Sequence, residues 1–140
     1  MSSIEGAIHG LSVNARERER VLRRLRKAIR ESLRDNELKA DVKASFTQLR
    51  ELRSYLSKAL QLAIDSCKEA SEECLDLKTL LEFNALISLD KEEELLLKLM
   101  KLVKSEKGEI LRQLISDLEN DLRDIDELKK RVLNYLEQAP

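Results

Sequence analysis

The sequence predicts an all-α protein, an elongated up-and-down antiparallel bundle of about four long helices with coiled-coil-like packing. The chain of 140 residues contains 3 Gly and 1 Pro, and that proline is the last residue. It therefore lacks the turn residues of a β-sandwich or barrel. Its apolar share of 42% is too high for a disordered chain. Apolar residues also recur every three or four positions through long segments, which is the spacing of a helix face.

The N-terminal segment is predicted to be separate from the first long helix. Within residues 1–13, Gly6 and Gly10 each disfavour a helix by about 1 kcal/mol, so we expect weak order or a short helix there. Asn14 followed by Glu17 has the form of a capping box, in which two side chains satisfy free backbone N–H groups at a helix start. The first long helix is therefore expected to begin directly after Asn14.

Polar signals bound the other predicted helices. Asn36 ends the first, because asparagine tolerates the left-handed backbone conformation. A serine followed by two glutamates favours a break within 71–76, and Gly108 is the clearest stop in the second half. The prediction is one domain over 1–140 with helices at about 15–34, 37–72, 76–106 and 109–138.

The sequence leaves open where the helix that starts near Glu37 ends. Its apolar stripe repeats at about 3.5 residues, close to a coiled-coil period, and neither glycine nor proline interrupts it. The alternative to a single-chain bundle is therefore a dimer in which one helix over 38–87 pairs with its copy across a two-fold axis.

Two cysteines and one histidine, His9, carry no recognisable site. On one continuous helix, Cys67 and Cys74 would lie about 10 Å apart, beyond the reach of a disulfide. We therefore expect reduced thiols and an intracellular protein, cytoplasmic or nuclear. The N-terminus lacks the features of a signal peptide, and no apolar run, such as that at 95–97, exceeds three residues, so no transmembrane segment is expected. No metal or nucleotide motif is present, which predicts no metal and no cofactor.

Six cations share one face of the first predicted helix, opposite its apolar stripe. They are Arg16, Arg20, Arg23, Lys27, Arg30 and Arg34. Neighbouring like charges on a helix cost about 0.2–0.5 kcal/mol a pair, so some anionic surface is expected to neutralise them. It could be the acidic second half of the chain, where residues 61–140 carry 12 Lys+Arg against 19 Asp+Glu. The alternatives are an acidic protein partner and the phosphates of a nucleic acid or anionic lipid.

Two later segments carry more apolar residues than a single stripe needs. In the first, apolar residues point more than one way, and we expect them to contribute to the core and to a partner or dimer face; they are Leu75, Leu77, Leu80, Leu81, Phe83, Leu86 and Ile87. The surplus residues of the second segment lie within 95–103. They cover over half of the helix circumference, which indicates a central helix or one buried by a partner or second copy. The predicted apolar partner or dimer face consists of Leu95, Leu96, Leu99, Met100, Leu102 and Val103.

No set of residues has the pattern of a catalytic site. The carboxylates at 92–94 and at Asp117, Asp121 and Asp124 are expected on exposed faces, and no nucleophile has a base nearby. The sequence therefore predicts a non-enzymatic interaction or assembly module, an adaptor or subunit of a larger complex. Its partner would be another protein or a second copy. The alternative function is binding of a nucleic-acid backbone through the Arg-rich helix 15–34.

Overall fold

The computed structural model describes residues 3–140 and confirms an all-α bundle, with no strand in that range. In chain order the elements are α1 Ser3–Asp35, α2 Ala40–Ser66, α3 Glu72–Phe83, the π turn Asn84–Ser88, α4 Leu89–Val103, the 3-10 segment Glu106–Leu114 and α5 Ile115–Gln138. The π-helical turn joins α3 to α4, so that 72–103 form one continuous rod, and the 3-10 segment leads into α5.

Contacts between helices establish the up-and-down order. Asn14 of α1 bonds to Leu52 of α2, while the later Arg24 bonds to the earlier Gln48, so these two helices are antiparallel. Helix α5 is likewise antiparallel to the rod 72–103. The start of that rod, α3, packs against α5, whereas its end, α4, also packs against the 106–114 segment that comes before α5. Apolar side chains from all of these helices form one core along the bundle.

The first helix is longer than predicted. It runs unbroken from Ser3, so the proposed start after Asn14 is wrong; residues 1 and 2 lie outside the described range. Asn14 is buried in mid-helix, and its Nδ2 donates to the carbonyl of Leu52 at 2.9 Å. Gly10 is tolerated because its missing Cβ makes room for a neighbour, since a Cβ there would lie 1.8 Å from the Tyr55 hydroxyl oxygen. Packing against α2 therefore outweighs the low helix propensity of this segment.

The predicted stops are partly correct. Asn36 ends α1 with a φ of 50°, as expected for a left-handed cap. The next break falls at 67–71, where the Ser71 hydroxyl accepts from the backbone N–H of Cys74 at 3.1 Å and caps α3. This break excludes one continuous helix over 38–87, and with it the geometry of the alternative dimer. The predicted helices at 37–72 and 76–106 therefore have the wrong bounds, since α2 is Ala40–Ser66 and the next rod covers 72–103.

Gly108 does not cap a helix. The rod that contains α4 ends at Val103, and Gly108 lies inside the 3-10 segment, with α5 beginning only at Ile115 instead of near residue 109. A Cβ at Gly108 would lie 1.9 Å from the carbonyl oxygen of Leu102. The glycine is therefore required by a close approach of two backbone segments.

The two cysteines form a disulfide, which corrects the expectation of reduced thiols. Because α2 ends at Ser66, Cys67 and Cys74 lie on either side of a turn, with their Cα atoms 5.7 Å apart. The expected separation assumed one helix through both residues. The intracellular location rested on reduced thiols and stays a prediction without that support.

The predicted apolar partner face lies inside the chain's own core. Leu95, Leu96, Leu99 and Val103 are buried, and Met100 and Leu102 are half-buried against the same cluster. The surplus apolar residues are explained by the packing of α4 against two elements, α5 and the 106–114 segment. Within residues 3–140, no helix combines the length and apolarity needed to cross a bilayer.

Candidate functional site

Within residues 3–140, the bundle consists of four helical rods: α1, α2, the continuous rod 72–103, and α5. One charged side chain from each rod lies in the core of the bundle. These side chains are Arg18 of α1, Arg53 of α2, Glu92 of α4 and Asp121 of α5, each at most 5% exposed. Arg53 links the two acids, donating from Nη1 to Glu92 Oε2 at 3.1 Å and from Nη2 to Asp121 Oδ1 at 2.7 Å. We call these four side chains the buried ion network.

Arg18 occupies the end of the network next to the π turn. Its Nη1 donates to the Ser88 hydroxyl at 2.8 Å and to Asn84 Oδ1 at 3.4 Å. Its Nε lies 4.0 Å from Glu92 Oε1, and neither Nε nor Nη2 has a hydrogen-bond partner among the described residues. Burial lowers the pKa of Arg18, although the Glu92 carboxylate opposes this effect. The π turn thus supplies the hydrogen-bond partners of one guanidinium nitrogen inside an apolar core.

Asp121 closes the network on the other side. It accepts from Arg53 and also from half-buried Arg50, whose Nε lies 2.8 Å from Oδ1 and whose Nη2 lies 3.1 Å from Oδ2. The hydrogen bond to Asp121 raises the pKa of Arg50. Asp117, on the preceding turn of α5, also reaches Arg50 at 3.3 Å but is half-buried, whereas Asp121 is buried. Asp121 therefore forms ion pairs with two guanidinium groups at once.

The buried ion network corrects the expectation that Glu92 and Asp121 face solvent. Both are committed to arginines, and among residues 3–140 no cluster of His, Cys, Asp or Glu could hold a metal ion. A signal was present in the sequence, because each of the four charges falls at a core position of its helix, as Arg53 does between Leu49 and Leu56. Two positive and two negative core positions predict mutual pairing, since an unpaired buried charge is too costly.

Glu92 gives the stability of the fold a specific pH dependence. Burial raises the pKa of Glu92 above its ordinary value of 4.5, against the opposing effects of Arg53 and Arg18. The native state therefore binds this proton more tightly than the unfolded state. The resulting stability is complete below about pH 4.5 and is lost as the pH rises through the raised pKa. We expect the difference in free energy of unfolding, wild type minus Glu92→Gln, to fall as the pH rises above about 4.5, measured by urea unfolding at a series of pH values.

Glu94 provides the control for this measurement. It lies exposed on the same helix, paired with Lys98 at 3.2 Å. The free energy of unfolding of the Glu94→Gln variant is expected to differ from that of wild type by less than about 1 kcal/mol and to follow the wild-type pH profile. A wild-type advantage over Glu92→Gln that stays constant or grows with pH would contradict the inferred direction.

The six predicted cations of α1 all lie on the surface of the bundle. Arg16, Arg20, Arg23, Lys27, Arg30 and Arg34 are all exposed, and we call them the basic face. The ion pairs that they form are with acids of their own helix. Arg20 pairs with Glu17 at 2.8 Å, Arg23 with Glu19 at 3.7 Å and Arg34 with Asp35 at 3.0 Å.

The acidic second half of the chain does not neutralise the basic face. Arg16, Lys27 and Arg30 form no ion pair with any residue of 3–140. Asp121 is taken by the arginines of α2, while Asp90 and Glu93 pair with Lys129. Of the three expected sources of anionic charge, the acidic second half of the chain therefore does not supply it in this fold, which leaves an acidic protein partner and phosphates.

An apolar groove runs beside the basic face, between α1 and the rod of α3, the π turn and α4. It has a volume of about 350 Å³. Phe83 and Ile87 line it and are each 44% exposed, which is unusual for large apolar side chains. Arg16 on α1 and Lys91 on α4 line it as well, and both are exposed. We call this feature the α1–α4 groove. The sequence indicates Phe83 and Ile87 as surplus apolar residues, but the direction in which they face depends on the π turn.

No known protein family, curated protein or solved structure matches this chain.

Proposed function

We propose that this chain is a non-enzymatic helical interaction module, an adaptor or subunit of a larger complex. It binds an acidic surface of a protein partner through the basic face. The observation that supports this proposal is the exposure of six cations in a row whose ion pairs within residues 3–140 are with acids of α1 itself. Such a row repels itself by about 0.2–0.5 kcal/mol for each neighbouring pair, and an external anion relieves that repulsion.

A protein partner is favoured over a nucleic acid by what lies beside the basic face. The α1–α4 groove exposes Phe83 and Ile87, and apolar side chains of a partner would bury them. A phosphate backbone offers no such groups. The alternative proposal, a nucleic-acid backbone, is supported by the length of the cation row, which spans about 27 Å from Arg16 to Arg34 and would reach several phosphates.

The proposal is tested by reversing charge within the basic face. The variant Arg23→Glu, Lys27→Glu, Arg30→Glu is compared with wild type for binding to poly-glutamate and to duplex DNA, at about 50 and 200 mM salt. A matched control, Lys43→Glu, Lys58→Glu, Lys68→Glu, makes the same change in net charge at exposed lysines outside α1. We expect wild type to bind poly-glutamate more weakly at the higher salt concentration, because the contact is electrostatic.

The expected loss of affinity for the α1 variant is at least about tenfold, with the control within about threefold of wild type. Equal losses in both variants would show that net charge alone matters and would contradict a role for the basic face. Tighter binding of the duplex than of poly-glutamate, lost in the α1 variant, would favour the nucleic-acid alternative. Absence of binding to both polymers at low salt would contradict both proposals.

A further inference from the structure

The α1–α4 groove lies between two helices that run in the same direction. Arg18 of α1 contacts Ser88 while the earlier Leu11 contacts Asn84, so the two walls advance together along the bundle. Leu11 and Leu22 line one wall, and Leu80, Phe83 and Ile87 line the other. A groove between two such helices is shaped to receive a third helix along its length.

The apolar lining of this groove is incompletely covered by the chain itself. Phe83 and Ile87 each keep 44% of their surface exposed, and neighbouring Leu86 keeps 38%. Together they form an exposed apolar patch next to a concave surface. Patches of this kind, bordered by charged residues, mark protein-binding sites in folded domains.

The charged residues that border the groove determine which charge a bound partner must carry. Arg16 and Lys91 line it from opposite walls, and neither forms an ion pair with a residue of 3–140. Glu19 also lines the groove, but it pairs with Arg23 at 3.7 Å. The unmatched charge at the groove is therefore positive on both sides.

We propose that the α1–α4 groove binds an acidic amphipathic helix of a partner protein. Apolar residues of that helix cover Phe83 and Ile87, and its carboxylates meet Arg16, Lys91 and the basic face. The cations of that face are spaced three and four residues apart, which matches carboxylates at the same spacing on a helix running alongside. A helix of about 18 residues would follow the whole row from Arg16 to Arg34. This inference rests on the proposed function and adds the form of the partner to it.

The test compares two labelled peptides of identical composition by fluorescence anisotropy. Each has about 18 residues, rich in Glu and Leu. In the first, the leucines recur every three or four positions and form one helix face; in the second, the order is scrambled so that no apolar face exists. We expect wild type to bind the first peptide about tenfold more tightly, because only that peptide can bury the groove residues.

Substitutions in the groove locate the site. Phe83→Gln with Ile87→Gln is expected to abolish the preference for the first peptide while leaving binding of poly-glutamate within about threefold of wild type. Leu97→Gln is the control, because Leu97 is an exposed leucine of α4, at 49%, that does not line the groove. It is expected to keep the preference. Because all three residues are exposed, the variants are expected to remain folded, and their helical circular dichroism checks this.

The outcomes separate this inference from the proposed function. Equal binding of the two peptides, with poly-glutamate binding intact, would overturn the groove as a helix site and leave the basic face as the binding surface. A preference that survives in the groove variant would overturn it too. Self-association of wild type that is lost in the groove variant, without peptide binding, would assign the groove to a second copy of this chain and contradict the proposal. Failure of wild type to bind any of the acidic ligands would contradict both inferences.

Discussion

Replacing Asp121 with alanine is expected to lower the free energy of unfolding by about 3–5 kcal/mol. The substitution removes the carboxylate that accepts from both Arg53 and Arg50. Arg53, 5% exposed, would be left with Glu92 as its ion-pair partner. Arginine cannot release its proton at any ordinary pH, so the cost is that of a buried and incompletely compensated charge. Urea unfolding followed by circular dichroism measures the effect.

Asp117→Ala is the matched control for this prediction. Asp117 lies one turn before Asp121 and contacts the same Arg50, but its side chain is 43% exposed. Exposed ion pairs contribute little, so the control is expected to lose less than about 1 kcal/mol. Similar losses in both variants would show that the buried ion network does not carry the penalty we assign to it.

The buried ion network is also expected to specify the packing more than it stabilises the fold. Removing one partner is costly, whereas replacing a whole buried network with apolar residues is often neutral or stabilising. Because Arg18, Arg53, Glu92 and Asp121 come from four different rods, a bundle that slipped along its axis would separate them. This arrangement therefore favours one register of the helices over others.

Removal of the disulfide is expected to give the second largest loss, about 2.5 kcal/mol. The bond between Cys67 and Cys74 closes a loop with a sequence separation of 7. Closing even a short loop removes conformational entropy from the unfolded chain, which is the main source of the stabilisation. The variant Cys67→Ala, Cys74→Ala should show this loss relative to oxidised wild type in urea unfolding.

Reduction of the wild type is the control for the disulfide prediction. Treatment with dithiothreitol should lower its stability to nearly that of the double alanine variant, while the variant itself should not respond. Thiol titration of the unfolded, unreduced protein should detect no free cysteine. Detection of two free thiols in protein purified without reductant would contradict the bond.

The fold class could be predicted from the sequence because it depends on periodic features. Local residue types account for these features. The spacing of apolar residues gives the stripes, and the capping residues Asn36 and Ser71 give the end of α1 and the break before α3. The start of α1 could not be predicted, because local signals at Gly10 and Asn14 are outweighed by packing against Tyr55 and Leu52. A capping box is weak evidence when the helix before it buries apolar residues of its own.

Only the surface part of the candidate site was predicted from the sequence, although the buried ion network left a signal in the core positions of its four charges. Exposure of the basic face follows from its position opposite the apolar stripe of α1. Whether acids of the second half cover it depends on tertiary contacts, which a helical wheel does not contain. The disulfide, and the direction in which Phe83 and Ile87 face, could not be predicted for a related reason. Each depends on a local departure from the regular α-helix, at the turn before Ser71 and at the π turn before Leu89.

The openness of the basic face is the claim on which the proposed function depends, and unfolding of the charge-reversal variant tests it most directly. If Arg23, Lys27 and Arg30 are neutralised by no other helix, changing all three to glutamate removes one exposed pair, that of Arg23 with Glu19. We expect the free energy of unfolding in urea to stay within about 1 kcal/mol of wild type. A loss above about 3 kcal/mol would show that the acidic half of the chain holds these side chains, and would contradict the open face.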